Sequence, residues 1–184
     1  MTIYIAFLRG INVGKKNRMK MADLRQRFEN IGLHDVQTYI QSGNVIFESE
    51  EHEDELRNRI ESEIDATFGA KIPVILRNSE ELKALIRKCP FTDDQVRKAE
   101  RSAVGESLYV SLLLHEPALE KVDDLHDYLF EDELYFLIGR DIYLLFGTSI
   151  RNSPLASKVD KLGVPSTVRN WKTLCKLVSL IDER

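Results

Sequence analysis

The chain has 184 residues, of which 43% are hydrophobic and 30% charged, and its formal net charge is -4. This composition excludes extensive intrinsic disorder, and the length suffices for one domain or two small halves. The longest N-terminal apolar run has seven residues and no basic segment before it, which argues against a signal peptide and a transmembrane helix. We therefore expect a cytoplasmic protein without membrane association.

The first half predicts the element order βαββαβ followed by an extra helix. Apolar residues recur at helical spacing before Gly32 and again before Gly69, and the Ser42-Gly43-Asn44 connection joins two β-rich runs, as in a hairpin. The predicted elements are a strand at 2–8, a helix at 20–32, strands at 35–41 and 44–49, a helix at 53–69, a strand at 72–76 and a helix at 79–89.

The second half predicts the same order after a polar connector, 89–106, that holds at most a turn of helix. Its predicted elements are a strand at 108–114, a helix at 117–130, strands at 134–138 and 141–146, a helix at 153–163, a strand at 164–168 and a helix at 170–181. The fold class expected is α+β, with ferredoxin-like halves at 1–88 and 107–184 whose sheets are antiparallel.

Residue matches between the halves indicate an internal duplication. The segment IPVILRNSEELKALI aligns without a gap on VPSTVRNWKTLCKLV, and the hairpin glycine Gly43 aligns with Gly139. Tyr4 precedes Gly43 by 39 positions, whereas the matching Tyr109 precedes Gly139 by only 30. Because the neighbouring helices have similar predicted lengths, most of this excess falls in the loop after the first strand. An extended loop at the end of a strand is where a scaffold carries binding groups.

That loop, RGINVGKKNRMK at 9–20, holds five Lys/Arg residues and no acid. It is one residue too short for a P-loop and lacks the hydroxyl that holds magnesium after the lysine. It could instead bind an anion through backbone amides, basic side chains and amide side chains. The alternative is a solvated loop whose glycines only turn the chain. The candidate residues are Arg9, Gly10, Asn12, Gly14, Lys15, Lys16 and Asn17.

Several separated motifs together resemble the bacterial domain of unknown function 1697 family (DUF1697). They are LRGINVG at 8–14 with Asn17 and Met21, TYIQSGN at 38–44, Ser157-Lys158, and TVRNWKT at 167–173. The resemblance implies an α+β protein with two ferredoxin-like halves and supplies no reaction. Lys15 stands where members usually have a second glycine. This departure disfavours a backbone-amide anion nest at that position while it adds charge.

The other motifs add candidate ligand-binding residues, each with a structural alternative. These are Tyr39, Ser42, Asn44, Lys158, Arg169, Asn170 and Trp171. Tyr39, Ser42 and Asn44 suit a strand and a turn, Asn170 suits a helix cap, and Trp171 suits core packing as well as a platform for a base. Lys158 suits a phosphate contact.

No cofactor and no metal is expected. The histidines are scattered, and Cys89 and Cys175 lack ligand spacing. The leading hypothesis is a protein that binds an anionic ligand, such as a nucleotide, RNA or a phosphorylated metabolite, through the basic loop. One alternative is an enzyme for a phosphorylated or carboxylated substrate, with Arg9, Lys158 and Arg169 as electrostatic clamps. The other is a protein-interaction module without a ligand.

Overall fold

The computed structural model describes residues 1–184 and has mixed helices and strands. The elements in chain order are β1 Thr2–Leu8, α1 Met21–Asn30, β2 His34–Tyr39, β3 Asn44–Ser49, α2 Glu53–Phe68, β4 Val74–Asn78, α3 Ser79–Arg87, α4 Asp93–Ser102, β5 Leu108–Leu113, α5 Leu119–Asp123, β6 Glu133–Ile138, β7 Asp141–Phe146, α6 Pro154–Val159, β8 Ser166–Asn170 and α7 Trp171–Asp182. Short 3-10 segments lie at Asp124–Tyr128 and Ile150–Asn152. The predicted fold class, α+β, is confirmed.

The chain divides into two compact units, each with a four-stranded antiparallel sheet. The first unit comprises Met1–Ala84 with Lys176–Arg184, and the second comprises Leu85–Cys175. The first sheet has the order β2-β3-β1-β4, and the second has the order β6-β7-β5-β8. In both, the first and third strands of the unit lie in the centre, which is the ferredoxin-like arrangement that the sequence predicted.

In the first unit, α1 and α2 pack against the sheet and form one apolar core with it. Leu56, Ile60 and Ile64 recur every four residues on α2 and are fully buried. On α1, Phe28 meets Phe47 of β3 edge to face, with the ring centroids 5.6 Å apart. Helix α2 ends at Gly69, whose φ of 64° is the left-handed C-cap expected from the sequence.

Residues at the C-terminus belong to this first unit. The Arg184 guanidinium lies 3.0 Å from the Asp35 carboxylate and also donates a hydrogen bond of 2.7 Å to the Asp35 carbonyl. Lys83 of α3 pairs with Asp182 of α7 at 2.7 Å. These contacts hold the end of α7 in the first unit.

The polar connector contains more structure than the sequence predicted. Helix α4 spans ten residues, Asp93–Ser102, and starts with a capping box in which Thr92 and Gln95 exchange hydrogen bonds between side chain and backbone. Its apolar residues, Val96 and Ala99, pack near Leu108 of β5. The expectation of at most one helical turn was therefore wrong, because two apolar positions were too few to establish a period.

Two predicted helices of the second unit are shorter than expected. The helix predicted at 117–130 is the five-residue α5 followed by the 3-10 segment, and α6 ends at Val159 rather than near Gly163. The predictions for the fourth strand of each half, 72–76 and 164–168, start two residues before the observed β4 and β8. Helix α6 does begin as predicted, with Ser153 accepting a hydrogen bond from the Ala156 amide and Pro154 in the first turn.

Candidate functional site

The basic loop, residues 9–20, links β1 to α1 in the first unit. It has twelve residues, whereas the matching link between β5 and α5 in the second unit, 114–118, has five. The side chains of Lys15, Lys16, Arg18 and Lys20 are exposed, and that of Arg9 is half-buried. The extension predicted from the sequence is therefore a surface loop with its positive charge in solvent.

A tight turn forms the tip of the basic loop. Val13 and Lys16 form an isolated antiparallel bridge, and the Lys16 amide donates to the Val13 carbonyl at 3.3 Å. Gly14, the first central residue, has a φ of 60°, whereas Lys15 is not left-handed. This is the pattern of a type II′ turn, which needs glycine only at its first central position. Lys15 thus replaces a second glycine without backbone strain.

Asn12 organises the base of the loop. Its side-chain oxygen accepts a hydrogen bond of 2.8 Å from the Met19 amide, and its Nδ2 donates to the carbonyls of Met19 at 3.0 Å and Gln41 at 2.8 Å. Its φ is 53°, a conformation that asparagine tolerates better than most residues. The Asn12 side chain therefore holds the loop in shape.

Asn17 and Arg18 reinforce that shape from the other side of the turn. Asn17, with a φ of 47°, donates from its side chain to the Gly10 carbonyl at 3.2 Å. Arg18 donates to the Gly14 carbonyl at 3.2 Å. In contrast, Lys15, Lys16 and Lys20 form no ion pair with a carboxylate. The amide side chains thus maintain the loop, and the lysines remain uncompensated.

The β2–β3 hairpin packs against the base of the basic loop. Ile11 and Met19 are buried, with only 2% and 4% of their surface exposed. A Cβ at Gly43, whose φ is 80°, would lie 2.6 Å from Ile11 Cδ1 and 2.9 Å from Leu8 Cβ. The Leu8 amide also donates to the Gly43 carbonyl at 2.9 Å. Glycine at position 43 is therefore what lets the hairpin approach the loop.

The other hairpin candidates form the turn itself. Asn44 is fully buried, and its Nδ2 donates to the Tyr39 carbonyl at 3.1 Å and to Ser42 Oγ at 2.9 Å. Ser42 and Tyr39 are half-buried. These contacts match the structural alternative weighed for the three residues, and a ligand role for them stays a prediction.

Lys158 lies in the second unit, on α6, where it lines a surface cleft. Its Nζ is 4.3 Å from the centroid of the Tyr128 ring, a cation–π distance. The cleft has a volume of about 390 Å³ and is lined by Lys121, Asp124, Leu125, Asp127, Tyr128, Lys158, Lys161 and Leu162. Of these residues, only Lys158 was singled out from the sequence. Arg169, its partner in the clamp hypothesis, does not line this cleft.

Arg169, Asn170 and Trp171 have well-defined structural contacts in the second unit. Arg169 is buried and donates from Nη1 to Thr167 Oγ1 at 2.7 Å and to the Val168 carbonyl at 2.9 Å. Burial lowers the pKa of its guanidinium to about 10, so it remains charged at neutral pH. The Asn170 side chain accepts from the Thr173 amide at 2.9 Å and caps α7.

Trp171 belongs to an apolar cluster. It packs with Cys89, Phe91 and Val96 against buried residues of α4, β5 and β7, and its ring lies 6.4 Å from that of Tyr143. Burial raises the pKa of the neighbouring Cys89 and Cys175 thiols, which disfavours a reactive thiolate. Packing therefore accounts for Trp171, and its use as a platform for a base stays a prediction.

The family described as protein of unknown function (DUF1697) matches residues 1–143, which include the basic loop and the TYIQSGN turn and end within β7. The chain belongs to this family. The motifs Ser157-Lys158 and 167–173 lie beyond the matched residues of the DUF1697 member. A solved structure of the conserved bacterial protein SP0830 from Streptococcus pneumoniae is similar, with 26% sequence identity, a TM-score of 0.74 and coverage of 97% of each chain.

A search of curated proteins found no significant match to this DUF1697 chain. None of its helices combines the length and the apolar character needed to cross a bilayer. No group of three or more His, Cys, Asp or Glu side chains is arranged to hold a metal ion. Two features are the candidate ligand sites: the basic loop, and the cleft lined by Lys158, named the lysine-lined cleft below.

Proposed function

We propose that this DUF1697 protein binds a polyanion, the phosphate backbone of nucleic acid, through the basic loop. The observation that carries the proposal is the exposure of Lys15, Lys16 and Lys20 without carboxylate partners, on a loop whose shape Asn12 and Asn17 maintain. Lysine ammonium groups held in solvent can replace condensed counterions along a phosphodiester chain. The protein as a whole is acidic, with a net charge of -4, and the loop is a local concentration of positive charge.

The form of the loop favours a long polyanion over a single nucleotide. Its cations lie on an exposed hairpin, so that they can contact successive phosphates. The exposed Val13 at the tip and Ile40 in the supporting hairpin offer apolar surface beside the charge. Apolar groups next to lysines suit the sugar and base faces of an unpaired strand. Single-stranded RNA is therefore the probe to test first.

The test is a titration of labelled single-stranded RNA, followed by fluorescence anisotropy over a series of salt concentrations. Binding should weaken as salt increases, with a log–log slope of about -0.7 for each phosphate neutralised. The variant Lys15→Ala/Lys16→Ala should reduce that slope by about 1.4, because two phosphate contacts are lost.

The matched control is Lys71→Ala/Lys98→Ala, which removes two exposed lysines outside the loop and changes the net charge equally. It should leave the slope close to that of the unmodified protein. The proposal fails if RNA does not bind even at the lowest salt, or if both double variants reduce the slope equally. Duplex DNA in the same assay distinguishes preference for a single strand from general polyanion binding.

A further inference from the structure

The lysine-lined cleft of the second unit has eight lining residues, which belong to α5, the following 3-10 segment, α6 and the turn after it. Its volume of about 390 Å³ lies in the range of roughly 300–1,000 Å³ that small-molecule sites occupy. Leu125 and Leu162 are buried, with 2% and 5% of their surface exposed, and provide an apolar base. The cleft is thus large enough for a small metabolite.

Charges of both signs line this cleft and form no ion pair with one another. Lys121, Lys158 and Lys161 contribute three ammonium groups, and Asp124 and Asp127 contribute two carboxylates. All five side chains are exposed, and no lysine nitrogen lies within 4.0 Å of a carboxylate oxygen in an ion pair. Lys121 Nζ instead contacts the Leu162 carbonyl at 3.5 Å. Both kinds of charge are therefore available to a ligand.

The Tyr128 ring positions one of these cations. Lys158 Nζ lies 4.3 Å from the ring centroid, so the aromatic face holds the ammonium group near the cleft wall. Such a contact restricts a long side chain that would otherwise move freely, and it leaves the ammonium hydrogens for an oxygen ligand. Lysine in this setting acts as a localised positive charge for phosphate.

We propose that the lysine-lined cleft binds a small sugar phosphate, with its phosphate on Lys158 and the neighbouring lysines and its hydroxyls donating to Asp124 and Asp127. Inorganic phosphate alone would bring its negative charge close to two carboxylates, and a cation would be repelled by three lysines. A phosphorylated polyol satisfies both sets of groups because it carries acceptors at one end and donors at the other. The cleft lies in the second unit and the basic loop in the first, and the cleft proposal does not depend on nucleic-acid binding.

Calorimetric titration of the full chain with ribose 5-phosphate tests the proposal, with ribose and inorganic phosphate as separate arms. Ribose 5-phosphate should bind more tightly than either. Lys158→Gln should weaken that binding about ten-fold, the effect expected of one charge-assisted hydrogen bond. The matched control Lys98→Gln changes an exposed lysine on α4 and should have no effect.

The variant Asp127→Asn distinguishes binding of the sugar hydroxyls from binding of the phosphate. It should weaken binding of ribose 5-phosphate several-fold, because a neutral amide oxygen accepts a weaker hydrogen bond from a hydroxyl than a carboxylate oxygen does. It should strengthen binding of inorganic phosphate, because a repelling charge is gone. Equal changes for both probes would show that the carboxylates do not recognise hydroxyls and would overturn the proposal.

Two further outcomes decide the assignment. If ribose 5-phosphate, glucose 6-phosphate and glycerol 3-phosphate all fail to bind, or if Lys158→Gln binds them as the unmodified protein does, the cleft proposal is wrong. If Lys15→Ala/Lys16→Ala abolishes sugar phosphate binding while Lys158→Gln retains it, the ligand occupies the basic loop, and the cleft proposal fails without affecting the RNA proposal. Circular dichroism verifies that each exposed substitution leaves the fold intact.

Discussion

Asn12 Nδ2 donates a hydrogen bond of 2.8 Å to the main-chain carbonyl of Gln41, and this contact ties the basic loop to the β2–β3 hairpin. The same side chain bonds both the amide and the carbonyl of Met19, which closes the loop on itself. One residue therefore links two ends of the loop to a segment far along the chain. The shape of the exposed lysine tip depends on this link.

Replacing Asn12 should destabilise the first unit. Asn12→Gly keeps the positive φ accessible but removes three hydrogen bonds, so we expect the free energy of unfolding to fall by about 1–3 kcal/mol. Asn12→Ala should cost about 1–2 kcal/mol more, because alanine disfavours the left-handed conformation. Urea denaturation measures both, with Asn58→Ala on an exposed face of α2 as the control. Equal stabilities of all four proteins would contradict the role given to Asn12.

Gly43 should tolerate no side chain. In Gly43→Ala, the added Cβ would fall 2.6 Å from Ile11 Cδ1 and 2.9 Å from Leu8 Cβ, in a residue with a φ of 80°. Gly32 has a similar φ of 82° with open space around it, so Gly32→Ala measures the conformational cost alone. We expect Gly32→Ala to lose about 1–2 kcal/mol and Gly43→Ala to lose about 1–3 kcal/mol more. Matching losses in denaturation experiments would show that the hairpin moves away from Ile11 at little cost.

An element could be predicted from the sequence when the residues that determine it lie within the element itself. Helix α2 has apolar residues every four positions and a terminal Gly69, so its limits could be deduced from the sequence. The segment after α5 could not, because Val122, Leu125 and Tyr128 recur every three residues, and that spacing suits an α-helix and a 3-10 helix alike. Helix α4 was underestimated because its burial depends on β5 and β7, which a local pattern does not reveal.

The candidate sites differ in the same way. The exposed charge of the basic loop could be predicted, since its glycines and lysines are contiguous. The way the loop is anchored could not be predicted, because the Gln41 carbonyl that accepts the hydrogen bond from Asn12 is a backbone group with no sequence signature. The lysine-lined cleft combines Lys121 from α5 with Lys158 from α6, and only the folded chain brings these elements together.

The capping box of α4 should contribute measurably to stability. Thr92 Oγ1 accepts from the Gln95 amide at 3.2 Å, and Gln95 Oε1 accepts from the Thr92 amide at 2.9 Å. Thr92→Ala should lower the free energy of unfolding by about 1 kcal/mol, because the Gln95 backbone amide loses its acceptor and the Gln95 side chain is held less firmly. Thr148→Ala, at an exposed position without such a contact, is the matched control. A loss no larger than that of the control in urea denaturation would show that α4 does not depend on its cap.

The Tyr143 hydroxyl should give the second unit a specific sensitivity to alkali. It is buried and donates to the Leu85 carbonyl at 2.7 Å, and burial, with a smaller effect of Asp141, raises its pKa. The neutral form of Tyr143 is therefore favoured in the folded state. Its contribution to the free energy of unfolding is fully present below pH about 10, where tyrosine ionises in the unfolded chain, and is lost as the pH rises further.

Tyr143→Phe tests this dependence. At neutral pH the variant should be less stable by about 1–2 kcal/mol, because the Leu85 carbonyl loses its donor. Above pH about 10 the stability of the unmodified protein should fall towards that of the variant by up to about 1.4 kcal/mol per pH unit. Urea denaturation at a series of pH values measures the difference. A constant difference across the alkaline range would show that the Tyr143 hydroxyl titrates alike in the folded and unfolded states.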